Sequence, residues 1–157
     1  MHMMEKVSRD MSAYINFFIR KDKDFIPIVS YSRNSNIYNI ISRATHIPWG
    51  HIHSITYDIL NDWIAAADDE INRTENEIKK IEKMFELSNS YTLEDAYGYA
   101  STIEKCNELI EMIKGVKVIF DFMKDILDEY EYEEDLDVSN VLYFGMEISN
   151  PTVDDII

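Results

Sequence analysis

A single cysteine, Cys106, stands in 157 residues, so no disulfide can close within the chain and its stability has to come from packing. With four glycines and three prolines there is no glycine-rich phosphate loop and no low-complexity linker. Gly-x-Ser-x-Gly and His-Glu-x-x-His are also missing, which removes two hydrolase signatures. Cations are scarce: 15 Lys and Arg against 30 Asp and Glu give a formal charge of −15. Phosphates are gripped by clustered Lys and Arg, so this balance is a poor match for nucleic acid or for an anionic membrane. No apolar run approaches the roughly 18 residues that a membrane span needs, and no charged-then-apolar leader opens the chain. These absences predict a soluble cytoplasmic protein that contacts neither nucleic acid nor membrane.

What is present is a globular composition. Apolar residues make up 46%, with ten Tyr and seven Phe, enough to build a core without staples. The length fits one domain over 1–157: a β-hairpin, short helix and loop over 5–56, a helical hairpin over 57–132, and an acidic linker, strand and tail over 133–157. Met1-His2-Met3-Met4 reads as a vector-derived start and is set aside. Charge is unevenly spread, +3 over 1–56, −7 over 57–124 and −11 over 125–157, which points to contact between basic head and acidic tail or to an external partner.

Ala13 to Arg20 and Phe25 to Tyr31 have strand composition and flank the polar Lys21-Asp22-Lys23-Asp24, as a hairpin does. Pro27 cannot donate to a ladder, which assigns the second strand to an edge or a bulge. Ser32-Arg33-Asn34-Ser35-Asn36 suits a turn and helix cap before a short helix ending near Arg43, and His46-Ile47-Pro48-Trp49-Gly50 breaks it. After Thr56, an N-cap, Leu60, Ile64, Ala67, Ile71, Thr74, Ile78, Ile81 and Phe85 recur at spacings of four and three, a coiled-coil seam. Thr92 and Asp95 start a second helix in near capping-box form. Its expected stripe is Leu93, Ala96, Ala100, Ile103, Cys106, Ile110, Ile113, Phe120, Met123, Leu127 and Tyr130. The two form an antiparallel hairpin over about 57–87 and 93–131, its tip at Ser88–Thr92 in solvent. Val116, Val118, Ile119, Phe120, Phe122, Met123, Ile126 and Leu127 cover several faces, so this segment should pack on the sheet as well. Val141 to Ile148 reads as a strand returning to the N-terminal hairpin. The predicted class is therefore α+β: a small antiparallel sheet, two N-terminal strands plus one C-terminal, with the helical hairpin inserted and a dimer or larger assembly burying the rest.

Few residues suggest chemistry. His51 and His53 share a face if extended, near His46, but nothing adds a zinc-like spacing, and a surface loop with incidental histidines is the simpler reading. Asp68-Asp69-Glu70 and the tail acids read as solvated helix faces, because paired catalytic carboxylates need separated pKa values. Cys106 lies in the apolar stripe as packing, and Trp63, Tyr97 and Tyr99 read as helix-packing aromatics. No cofactor, metal or catalytic residue is expected, so the chain reads as a non-enzyme. Tyr31, Arg33, Asn34, Asn36, Arg43 and Trp49 combine guanidinium groups, amides and aromatics near one loop, which suits a small anionic ligand, with a plain turn and cap as the simpler alternative. Asp128, Glu129, Glu131, Glu133, Glu134, Asp135 and Asp137 form an acidic surface for a basic partner.

In style the chain resembles the small acidic accessory proteins of phages that infect low-GC bacteria. The likeness is carried by Ile28-Val29-Ser30-Tyr31-Ser32-Arg33-Asn34, the charged helical hairpin, and Tyr143-Phe144-Gly145-Met146-Glu147-Ile148-Ser149-Asn150-Pro151-Thr152. It brings no signature motif and no residue roles. Proteins of that kind include anti-CRISPR inhibitors that imitate nucleic acid and sponges that sequester nucleotide signals of bacterial immunity. The resemblance implies an inhibitor of bacterial immunity docking on a basic host protein, with capture of a small nucleotide at an oligomer pocket, or a ligand-free coiled-coil assembly role, as alternatives.

Overall fold

Residues 14–87, 92–134 and 140–157 are described by a computed structural model, the side chains of Glu133 and Glu134 excepted. The proposed tip at 88–91, the acids Asp135 and Asp137, and the N-terminal start fall outside them.

β1 (Tyr14–Lys21) and β2 (Asp24–Ser32) form the hairpin, turning at Asp22, whose φ of 57° lies in the left-handed region. The register slips between Phe17 and Phe18, where Ile28 of β2 has no opposite partner. That bulge sits beside Pro27 on an edge strand, as the missing N–H requires. α1 (Asn36–Ala44) is capped by Ser35, whose hydroxyl accepts from the Tyr38 N–H at 3.2 Å. β3 is Ile52–Ser54. α2 (Tyr57–Leu87) starts on Thr56, which accepts from Ile59 N–H at 3.2 Å. α3 (Leu93–Glu134) starts on a reciprocal Thr92–Asp95 capping box. β4 (Leu142–Met146) returns to pair with β1, and the sheet order is β2-β1-β4-β3, antiparallel throughout. The fold is α+β, with the helical hairpin inserted between β3 and β4.

The sheet has four strands where three were expected. The fourth is drawn from the histidine segment, which is therefore no surface loop. Ile52 is fully buried and pairs with Gly145, and a three-residue strand is too short to show a period of two in sequence. On the outer side of β3, Ile52 makes a parallel bridge to Ile156, and Ile157 N–H donates to the Ile52 carbonyl at 3.0 Å. This segment closes one edge of the sheet, while β2 forms the other edge among the described residues.

The core lies between the sheet and the base of the hairpin. Trp63 is wholly buried there, in ring contact with Phe17, Phe120 and Phe144, and its indole N–H donates to Thr45 Oγ1 at 2.8 Å. Along α2, Leu60, Ala67, Ile71, Thr74 and Ile81 are buried as the seam predicts, while Trp63 takes the deep position beside a partly buried Ile64. Thr74 is tolerated because its hydroxyl donates to the Glu70 carbonyl at 2.8 Å. On α3 the seam runs through Ile110, Ile113, Val116, Phe120, Met123 and Leu127. Leu93 and Ala100, expected in it, are exposed on the opposite face, and so is Tyr97. Tyr99 does pack, edge-on against Phe85. The opposite sheet face holds a smaller cluster of Phe18, Ile52 and Tyr143.

Candidate functional site

The expected ligand loop does not form one site. Asn36 and Arg43 line a cavity of about 180 Å³ with Asn39 and Glu70, between α1 and the hairpin. There Arg43 is held by Glu70 at 2.8 Å, and Glu70 is shared with Arg73. An anion entering would have to displace that carboxylate. Tyr31 lines a different, apolar groove between β2 and α3. Arg33 acts on Glu147, and Trp49 is exposed. Asn34 sits in the turn before α1.

The histidines do not come together either. His53 Nδ1 lies 2.6 Å from the Ser54 carbonyl, His46 is exposed, and His51 Nδ1 is buried without a partner among the described residues. Among those residues no three of His, Cys, Asp and Glu converge on a common point.

The acidic surface is better organised. Asp121, Asp125, Asp128, Glu129 and Glu131 are exposed on the last third of α3, and Asp58 and Asp62 are exposed on the first turns of α2 beside it. Among the described residues none of these carboxylates forms an ion pair. The ion pairs among the described residues lie elsewhere, on Glu70, Glu111 and Asp68. Glu131 stands in the last helical turn, which holds no basic residue and is already the negative end of the helix dipole.

Tyr57, at the first position of α2, joins the two helices at this point. Its hydroxyl lies 2.7 Å from Asp128 Oδ1 and 2.9 Å from Glu131 Oε2. One hydroxyl carries one proton, so it can donate to one carboxylate at a time. Burial, then the hydrogen bonds to and the charges of Asp128 and Glu131, push the Tyr57 phenol well above its ordinary range, keeping it a neutral donor. Sequence reading singled out Asp128 and Glu131 but missed Tyr57, which is separated from them by more than seventy residues; only the antiparallel hairpin brings them together.

No helix among the described residues is long and apolar enough to cross a membrane. No protein-family model, curated protein or solved structure matches the chain.

Proposed function

We propose that the protein acts by binding rather than catalysis, presenting the carboxylates at the base of its hairpin to a basic surface on a host protein, where they take the place of nucleic-acid phosphates. The observation that carries this reading is the Tyr57–Asp128–Glu131 cluster, in which two exposed carboxylates share one donor proton. The carboxylate left short of a donor is supplied by a Lys or Arg from outside, in a charge-assisted hydrogen bond. Asp121, Asp125 and Glu129 extend the same field along α3, which steers a cationic partner toward it. The resemblance to phage accessory proteins gives the setting: a phage-encoded inhibitor of bacterial immunity whose target normally handles nucleic acid in a basic channel.

The test is retention of proteins from a bacterial lysate by the immobilised chain and by an Asp128→Lys/Glu131→Lys variant. The native chain should retain basic proteins that are released by salt and by competing duplex DNA, and the variant, still helical by circular dichroism, should not. Equal retention by the variant, or retention indifferent to DNA, would sink the proposal. Tyr57→Phe removes the shared donor without changing charge. With both carboxylates then short of a donor, it should strengthen retention by up to about fivefold, the worth of roughly one hydrogen bond.

A further inference from the structure

The outward face of α3, directly opposite the core, breaks the amphipathic rule. Leu93, Tyr97, Val118 and Phe122 on it are 91%, 76%, 66% and 62% exposed. Scattered apolar residues on a surface need no explanation, but these are ordered. Leu93, Tyr97 and Ala100 follow at spacings of four and three, as do Gly115, Val118 and Phe122 at three and four, which keeps each set on one stripe of the helix.

The two sets mirror each other. Leu93 and Phe122, Tyr97 and Val118, Ala100 and Gly115, and Glu104 and Glu111 lie at equal distances on either side of the Asn107–Glu108 peptide. A two-fold axis there sets large against large and small against small, the self-complementarity that an isologous contact demands. Gly115 fits the same picture. A Cβ built on it meets nothing within 4 Å among the described residues, so no contact there calls for a glycine, although glycine inside a helix costs about 1 kcal/mol relative to alanine. Opposite Ala100 of a second helix, it lets two backbones approach closely.

We infer that a second copy of this chain docks antiparallel along the outward face of α3, about a two-fold axis at Asn107–Glu108. Val118 and Phe122 also border the apolar groove of about 360 Å³ between α3 and β2, where Ile28 and Val29 are exposed. The axis brings the partner's Leu93 to the mouth of that groove. Leu93 to Phe122 spans about 43 Å of helix at 1.5 Å per residue. A strip that long and one helix wide, counted on both copies, comes to about 900–1,000 Å², and the groove at each end carries it toward the roughly 1,200 Å² at which stable interfaces begin.

The centre of the contact opposes it. Glu104, Glu108 and Glu111 of both copies gather around the axis, and like charges brought together repel. The dimer therefore tightens as salt screens them, the reverse of a complex held by ion pairs.

The experiment is sedimentation equilibrium of the full chain at low and high salt, paired with directed disulfides. The expected result is a dimer that tightens with salt, loosens at least about tenfold in Val118→Lys/Phe122→Lys, and tightens in Glu104→Gln/Glu111→Gln. In a Cys106→Ser background, Ala100→Cys chains mixed with Gly115→Cys chains should cross-link on oxidation, while each alone should not. A monomer at both salts, a dimer untouched by the lysine substitutions, or cross-links within a single variant in place of the mixture would each overturn the inference.

Discussion

Gly145 lies in the inner strand β4 at a point where a side chain has no room. A Cβ there would stand 2.8 Å from the His51 carbonyl oxygen and 2.5 Å from a methyl of Ile148. The first neighbour is backbone, so relief requires the chain leading into β3 to move. Gly145→Ala should destabilise the protein by about 1–3 kcal/mol, read as a lower urea midpoint at unchanged slope. Two residues on, Glu147 holds a φ of 57° with its carboxyl partly withdrawn from water. Burial raises its pKa, and the Tyr14 backbone hydrogen bond and the Arg33 charge offset that only in part. A carboxyl with a raised folded-state pKa favours folding while it is protonated in both states, and that contribution is lost as pH rises through the folded value. Glu147→Gln should therefore be more stable than the native chain at neutral pH, and the gap should close as pH falls below the ordinary carboxyl range. A gap that widens on acidification would contradict the assignment.

At the scale of elements, the seam between α2 and α3 is the feature most open to a direct substitution. Ile71 is buried in it, and Ile71→Asp should cost several kcal/mol by placing an unpaired charge there, seen as loss of the cooperative thermal transition or a much lower midpoint. The α2 side of that seam was legible because one heptad repeat with one buried face leaves a clear period. α3 was legible in extent and only partly in phase: it is apolar on two faces, so Leu93, Tyr97 and Ala100 could be assigned to the inner face as readily as to the outer one where they lie. Pro27 placed the second strand at an edge or a bulge because a missing N–H cannot serve an inner ladder, and the strand turns out to have both. β3 could not be read, since three residues carry no period and its partner β4 lies far along the chain. The acidic half of the candidate site was visible as composition, whereas its organising hydroxyl on Tyr57 comes from the other helix and depends on how the hairpin closes.

For the whole molecule, the two proposed contacts answer salt in opposite directions. Docking of the acidic base on a cationic partner weakens as ions screen it, while pairing through the outward face of α3 strengthens. Both use α3 but in adjacent stretches, Asp121–Glu131 for the first and Leu93–Phe122 for the second. They meet at Asp121 and Phe122.

The strand order has a consequence for how the chain is made. β4 occupies the slot between β1 and β3, yet both of its neighbours and both long helices are synthesised before it. Until β4 emerges, Trp63 and Phe17 lack the Phe144 ring that completes their packing, and β1 and β3 have no ladder joining them. The nascent chain therefore carries an open cleft in its core through the whole translation of the hairpin, and closes it in one late, long-range step of the kind that makes folding slow.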